Sequence, residues 1–225
     1  MDKIRVYKTY NAADMAAIEP LLKGILRSFP DFAIGSTSIE VNNDGTWYAM
    51  ADMSLVKGLP PSIKIKNEQD AFAIAQKWMQ KFDEKLSGRV HDAQLPSRLF
   101  DGDLLPISAT PTLKEINGLK IPSEWLCNYK LQVKPSTREK AVIVDNAEIR
   151  IVIGASGIVL SVRCDFLPVK ESESFSRQLP AIVTFPVEGE KPPILSVGYE
   201  LQIDNNVIVP YYYIIEKQEK ENSLV

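Results

Sequence analysis

The sequence has a single histidine, His91, and only two cysteines, Cys127 and Cys164. One histidine excludes any metal site built on several imidazoles. A Ser-His-Asp arrangement would have to use His91, which lies in an irregular stretch beside Asp92 and reads as a surface residue. No Gly-x-Ser-x-Gly elbow occurs, and no glycine-rich loop follows a strand and opens a helix, so neither a serine-hydrolase nor a phosphate-binding motif is present. Charge of one sign is also lacking. Against 29 acidic residues stand 26 Lys and Arg, which leaves −3 and no basic footprint for phosphates, so nucleic acid is not an expected partner. No apolar run is long enough to span a bilayer. The opening Met1-Asp2-Lys3-Ile4-Arg5 lacks the features of a signal peptide. Mature chains often begin after a removed signal or anchor, so this absence leaves the compartment open.

What is there is the composition of a folded protein, 45% apolar and 24% charged. At 225 residues the chain suffices for one large domain or two small ones. Its 15 prolines fall mainly between the periodic segments, as in a β-rich chain whose turns are set by proline.

Two segments have helical periodicity. Asn11 caps a helix expected from Ala12 to Leu26, with apolar positions at Met15, Ile18, Leu22, Ile25 and Leu26. Pro20 falls inside it, which predicts a kink or a helix confined to the second part. The second helix starts at the Asn67 cap, with Asp70 in the first turn, and ends at Gly88. Ala71, Ile74, Ala75, Trp78, Phe82 and Leu86 form its apolar stripe, which reads as a face packed on a sheet.

Most of the remainder alternates with the period of strands. Ala33–Val41 and Thr46–Val56 flank Asn42-Asn43-Asp44-Gly45, a hairpin signal. Trp125, Cys127, Tyr129, Leu131 and Val133 alternate with Leu126, Asn128, Lys130 and Gln132. Ile149, Ile151 and Ile153 lead through Gly154-Ala155-Ser156-Gly157 to a returning strand. That strand should place Ile158, Leu160, Val162, Cys164 and Phe166 on one face and Ser161, Arg163 and Asp165 on the other. Tyr199, Leu201 and Ile203 precede a turn at Asp204-Asn205-Asn206, and Val207–Ile215 returns. Val90–Pro122, rich in Pro, Asp, Gly and Ser, reads as a long excursion or an irregular edge. The fold class is therefore α+β, with one or two helices on antiparallel hairpins. A boundary at Gly58-Leu59-Pro60-Pro61 divides a smaller unit, 1–58, from a larger one, 62–217, and a tail, 218–225. Helix followed by hairpin in both units is the order that duplication of one fold unit would produce.

The larger unit resembles PepSY-like domains, with their relatives in thermolysin-type propeptides and regulators of envelope kinases. The resemblance is carried by the capped helix Asn67-Glu68-Gln69-Asp70-Ala71-Phe72-Ala73-Ile74-Ala75, the strand Trp125–Tyr129, the hairpin Gly154–Val162 and the closing Gly198–Leu201 and Val209–Tyr212 pair. It spans roughly residues 60–215 and consists of element order and a few turn residues. Gly154 and Ala155 stand where the family places an acid. The resemblance implies a cystatin-like fold, a cell-envelope or other extracytoplasmic location with a cytoplasmic one as the alternative, and action by binding rather than catalysis.

The chemistry-bearing residues agree with a non-enzymatic role. Asp92, Asp101 and Asp103 lack the spacing of a calcium loop, so no metal and no cofactor is expected. Cys127 and Cys164 occupy apolar strand phases and read either as buried thiols or as a cross-strand disulfide formed in an oxidising compartment. The expected binding residues are Tyr199, Tyr211 and Tyr213, on the sheet of the last hairpin, with core packing of these tyrosines as the competing reading. The expected function is a non-catalytic binding or regulatory module of the cell envelope that engages a protein or peptide on its sheet or along an edge strand. Two alternatives remain at this point: an enzyme with a carboxylate or tyrosine site in 90–122, and a structural component of a surface assembly.

Overall fold

A computed structural model describes residues 3–27, 38–51, 65–100, 103–136, 139–176 and 194–215. It is a mixed α+β structure in which two helices pack on a large sheet dominated by antiparallel pairs. The proposed boundary at 58–61 and the tail 218–225 lie outside the described residues.

Helix α1 (Ala12–Arg27) opens on a reciprocal cap. The Asn11 side chain accepts from the Asp14 amide at 2.9 Å, and the Asp14 carboxylate accepts from the Asn11 amide at 3.0 Å. Its buried stripe is Met15, Ile18, Leu22, Ile25 and Leu26, as the spacing predicts. Pro20 does not break the helix. It sits on the exposed side together with Ala16, whose carbonyl loses its intrahelical donor and is left on the side that faces water.

Helix α2 (Glu68–Ser87) is capped by Asn67, which accepts from the Asp70 amide. It buries Ala71, Ala75, Trp78, Met79, Phe82 and Leu86. Phe82 stacks with Trp47 at 6.3 Å, and Phe100 lies within 6.0 Å of Trp47, Trp78 and Phe82. This aromatic cluster joins α2 to the sheet. The helix also buries Asp83, whose carboxylate accepts from the Leu99 and Phe100 amides at 2.8 and 3.0 Å. Segment 88–100 is thereby tied down and supplies Leu99 and Phe100 to the core.

The strands are β1 (Lys3–Thr9), β2 (Ser38–Val41), β3 (Trp47–Met50), β4 (Asp103–Ile116), β5 (Leu119–Val133), β6 (Val142–Gly154), β7 (Val159–Cys164), β8 (Val169–Ser176), β9 (Ile194–Gln202) and β10 (Val207–Ile215). Their order is β2-β3-β7-β6-β9-β10-β1-β8, with β5 and then β4 branching from β6. Strand β6 is the junction. Its Val144 and Asp145 pair in parallel with Tyr199 and Glu200 of β9, whereas 148–154 pair antiparallel with β5 and 149–153 with β7. Asn146, at φ 62°, marks the bend between the two regimes.

Three features of the strands differ from the sequence reading or add to it. Most of the stretch read as an irregular excursion is a long hairpin: β4 covers 103–116, and β5 begins at Leu119 rather than Trp125. Asn117 and Gly118, both at positive φ, form its two-residue turn. The prolines disguised it. Pro106 and Pro111 are tolerated because, among the described residues, β4 pairs only with β5, so a missing N–H can face away from the ladder. Second, strands from both sides of 58–61 join in one sheet. Strand β1 lies between β10 and β8, and β3 pairs with β7, because the apolar faces of all these strands close on one core. Third, a register shift between Val152 and Ile153 brings Val159, not Ile158, into the main core.

Candidate functional site

Strand register separates the three tyrosines proposed as one surface. Tyr199 of β9 lies opposite Pro210, so it shares a face with Ile208 rather than with Tyr211 and Tyr213. It is fully buried, packs edge-on against Tyr7 at 6.1 Å and donates its hydroxyl to the Arg5 carbonyl at 2.8 Å. It belongs to the core, which corrects its assignment to an accessible face. Tyr211 projects from the opposite face and lies across Gly198, where an added Cβ would come within 2.3 Å of its ring. Its hydroxyl donates to Asp145 at 2.5 Å, at the bend of β6. That bond ties β10 to β6. The side chain of Tyr213 lies outside the described residues.

A more extensive surface is the side of the β2-β3-β7-β6-β5-β4 sheet turned away from the helices. Residues directly opposite each other on antiparallel strands share a face. Glu40 faces Tyr48, Tyr48 faces Arg163, Arg163 faces Arg150, Arg150 faces Asn128, and Asn128 faces Ser108. Six strands therefore carry one continuous polar row, about 24 Å wide at ordinary strand spacing. The burial alternation agrees: Trp47, Ala49, Val162, Cys164, Ile149, Ile151 and Cys127, one position away on their strands, are all buried under the helices. Beside the row, Met50 is 49% and Ile107 45% exposed. A shallow depression of about 360 Å³ lies over β4, β5 and β6, with Ile107, Leu126, Asn128, Lys130 and Arg150 among its walls.

The electrostatics of the face centre on two arginines placed directly opposite each other. Like charges at such a pair are destabilising unless compensated. Asp165 lies between them, 2.7 Å from Arg163 Nε and 3.9 Å from Arg150 Nη2. Glu148 lies 3.1 Å from Arg150 and 3.5 Å from Lys130, and its carboxyl is held below the usual carboxylate range, first by the Arg150 hydrogen bond. The Tyr48 hydroxyl donates to Glu40, which raises the pKa of the phenol. Asn128 donates to Ser108 Oγ at 2.9 Å.

Other candidate chemistry is accounted for differently. Cys127 and Cys164 are free, with β6 between their strands: Cys127 pairs with Ile151, and Cys164 with Ile149. Two strand spacings put their Cα atoms about 10 Å apart or more, beyond the reach of a disulfide. Burial pushes both thiols up to about 12, which suppresses the nucleophilic thiolate. His91 is exposed. Asp92 caps its own turn by accepting from the Gln94 amide. Among the described residues no group of three or more His, Cys, Asp or Glu is arranged to hold a metal, and no helix is long and apolar enough to cross a membrane.

Arg150 is absent from the sequence-based site, although the alternation of β5 and β7 already put Asn128, Lys130, Arg163 and Asp165 on faces opposite the core. The missing element was strand order, which sets these residues side by side. Comparison with family models, with curated proteins and with solved structures found no match to this chain.

Proposed function

We propose that the chain is a non-catalytic binding module that holds a protein or peptide partner on the open face of the sheet. The supporting observation is the row from Glu40 to Ser108 flanked by exposed Met50 and Ile107. Tyrosine, arginine and methionine are enriched in protein interfaces, and a broad flat face with a shallow depression fits an extended partner better than a small substrate. The PepSY-like resemblance supports the same reading and adds an envelope location to it. Edge pairing along the middle of β4 is disfavoured. Pro106 and Pro111 lack donors there, and the Ala109 amide is already taken by Glu68 at 3.0 Å.

Selection of random dodecapeptides displayed against the whole chain tests this reading. Selected peptides should lose binding to a Met50→Asp/Ile107→Asp variant whose unfolding midpoint matches that of the parent. A selection that yields no binder sensitive to those changes removes the open face as the binding surface. A second reading, a component of a larger assembly, draws on the end of the β4–β5 hairpin. That end extends past the last β6 pair at Glu124 and exposes Leu113 and Leu119 by 51% and 66%.

A further inference from the structure

We infer that the partner of the open face is an acidic extended segment, whose carboxylate is bound by the unengaged outward nitrogens of Arg150 and Arg163 and whose neighbouring apolar side chain enters the depression beside Ile107 and Leu126. The inference rests on the binding reading above and specifies the chemistry of the partner.

The donor inventory of the two guanidinium groups carries it. Arg163 is engaged only through Nε, by Asp165. Arg150 is engaged only through Nη2, by Glu148 and, more distantly, Asp165. Among the described residues both terminal nitrogens of Arg163, and Nε and Nη1 of Arg150, donate to nothing. The two side chains are 63% and 45% exposed. The acceptors on the same face are occupied: Glu40 by Tyr48, Glu148 by Lys130 and Arg150, and Asp165 by both arginines. What the face offers outward is therefore a surplus of donors in fork geometry, which a carboxylate oxygen pair matches.

The acid must belong to a polypeptide rather than to a polyanion. Glu40 in the row, and Glu148 and Asp165 beside it, would repel a run of phosphates, whereas a single carboxylate needs only the outward nitrogens of the two arginines. Spacing adds a constraint. The midpoint between β6 and β7 lies about 7 Å from β5, the centre of the depression, which equals the separation of residues i and i+2 in an extended chain. The expected pattern is an Asp or Glu two positions from a large apolar residue.

Peptides selected from the random display library supply the test, with a single-stranded oligonucleotide as a competing probe. The expected consensus is acid–x–apolar. Affinity should fall about tenfold or more for Arg150→Gln/Arg163→Gln at an unchanged unfolding midpoint. It should also weaken as salt rises from about 0.05 to 0.5 M. Peptides that depend on Met50 and Ile107 but carry no acid, or that ignore the arginine substitutions, would refute the acidic partner and leave the binding reading intact. Oligonucleotide binding as tight as that of the peptides would overturn it in favour of a phosphate polymer. A selection with no face-dependent peptide removes both.

Discussion

Asp83 offers the sharpest test of how the core is assembled. The residue is 8% exposed, and its carboxylate accepts from two backbone amides 16 and 17 residues later in the chain, beyond the end of the helix. Hydrogen bonds to a charged acceptor contribute about 1.5–3 kcal/mol each, and a buried amide deprived of its partner costs a similar amount. Asp83→Ala removes both bonds and leaves the Leu99 and Phe100 amides unpaired. Water reaching the loosened segment recovers part of the loss, so we expect about 3–5 kcal/mol of destabilisation. Asp83→Asn keeps one acceptor but turns an N–H toward the second donor, and should cost about 1.5–3 kcal/mol. Urea denaturation followed by tryptophan emission is the assay, because Phe100 lies 6.0 Å from Trp47 and 5.8 Å from Trp78. Amide exchange at Leu99 and Phe100 should accelerate in step. Glu84→Ala, on the exposed side of the same turn, provides the reference and should stay within about 0.5 kcal/mol. An Asp83→Ala loss below about 1 kcal/mol, or unchanged exchange at the two amides, would refute the anchoring role.

Trp78→Ala should cost about 3–5 kcal/mol by denaturant titration, since the indole is 2% exposed and packs on Phe82 and Phe100; a loss under about 1 kcal/mol would contradict the packing. The thiols predict an alkaline limb. Their folded values near 12 exceed the unfolded value of about 8.5, so their contribution is intact below about pH 8.5 and declines between there and 12, by about 1.4 kcal/mol per pH unit for each thiol. A Cys127→Ala/Cys164→Ala variant should show a shallower decline between pH 8.5 and 10, and identical slopes would refute the assignment. Tyr211→Phe should lose about 0.5–1.5 kcal/mol through its bond to Asp145, with Gly198→Ala costing more because the ring must leave its seat; denaturation of the two variants ranks them.

Much of the fold was legible because burial imposes periods that survive in sequence. The stripes of α1 and α2 and the alternation from Trp125 to Val133 appear in the structure nearly residue for residue. The hairpin at 103–133 was not legible, because Pro106 and Pro111 read as breaks until β4 is known to be an edge, and Pro122 until β5 is known to reach β6 only from Glu124. Asp83 was hidden for a different reason: a carboxylate within an apolar stripe has no periodic signature, and its partners are backbone amides of a loop. The candidate surface was legible only in halves. Alternation shows that Asn128 and Arg163 face away from the core, but pairing between β5, β6, β7 and β3 is a tertiary outcome that local pattern does not encode. The same limit grouped Tyr199 with Tyr211, since only the register of β9 against β10 reveals that they face opposite ways.

The position of β1 has a consequence for synthesis. Its two neighbours, β8 and β10, begin at Val169 and Val207, so the strand leaves the ribosome roughly 160–200 residues before the edges that will receive it. At ordinary elongation rates of about 5–20 residues per second, that is a wait of about 10–40 s. During it Ile4 and Tyr7, both buried in the finished protein, have no sheet to enter, and their backbone donors are open to any passing strand. Closure of the sheet around β1 thus awaits the arrival of β10, and nascent chains of this sequence should be clients of whatever holds unpaired strands apart in the producing cell.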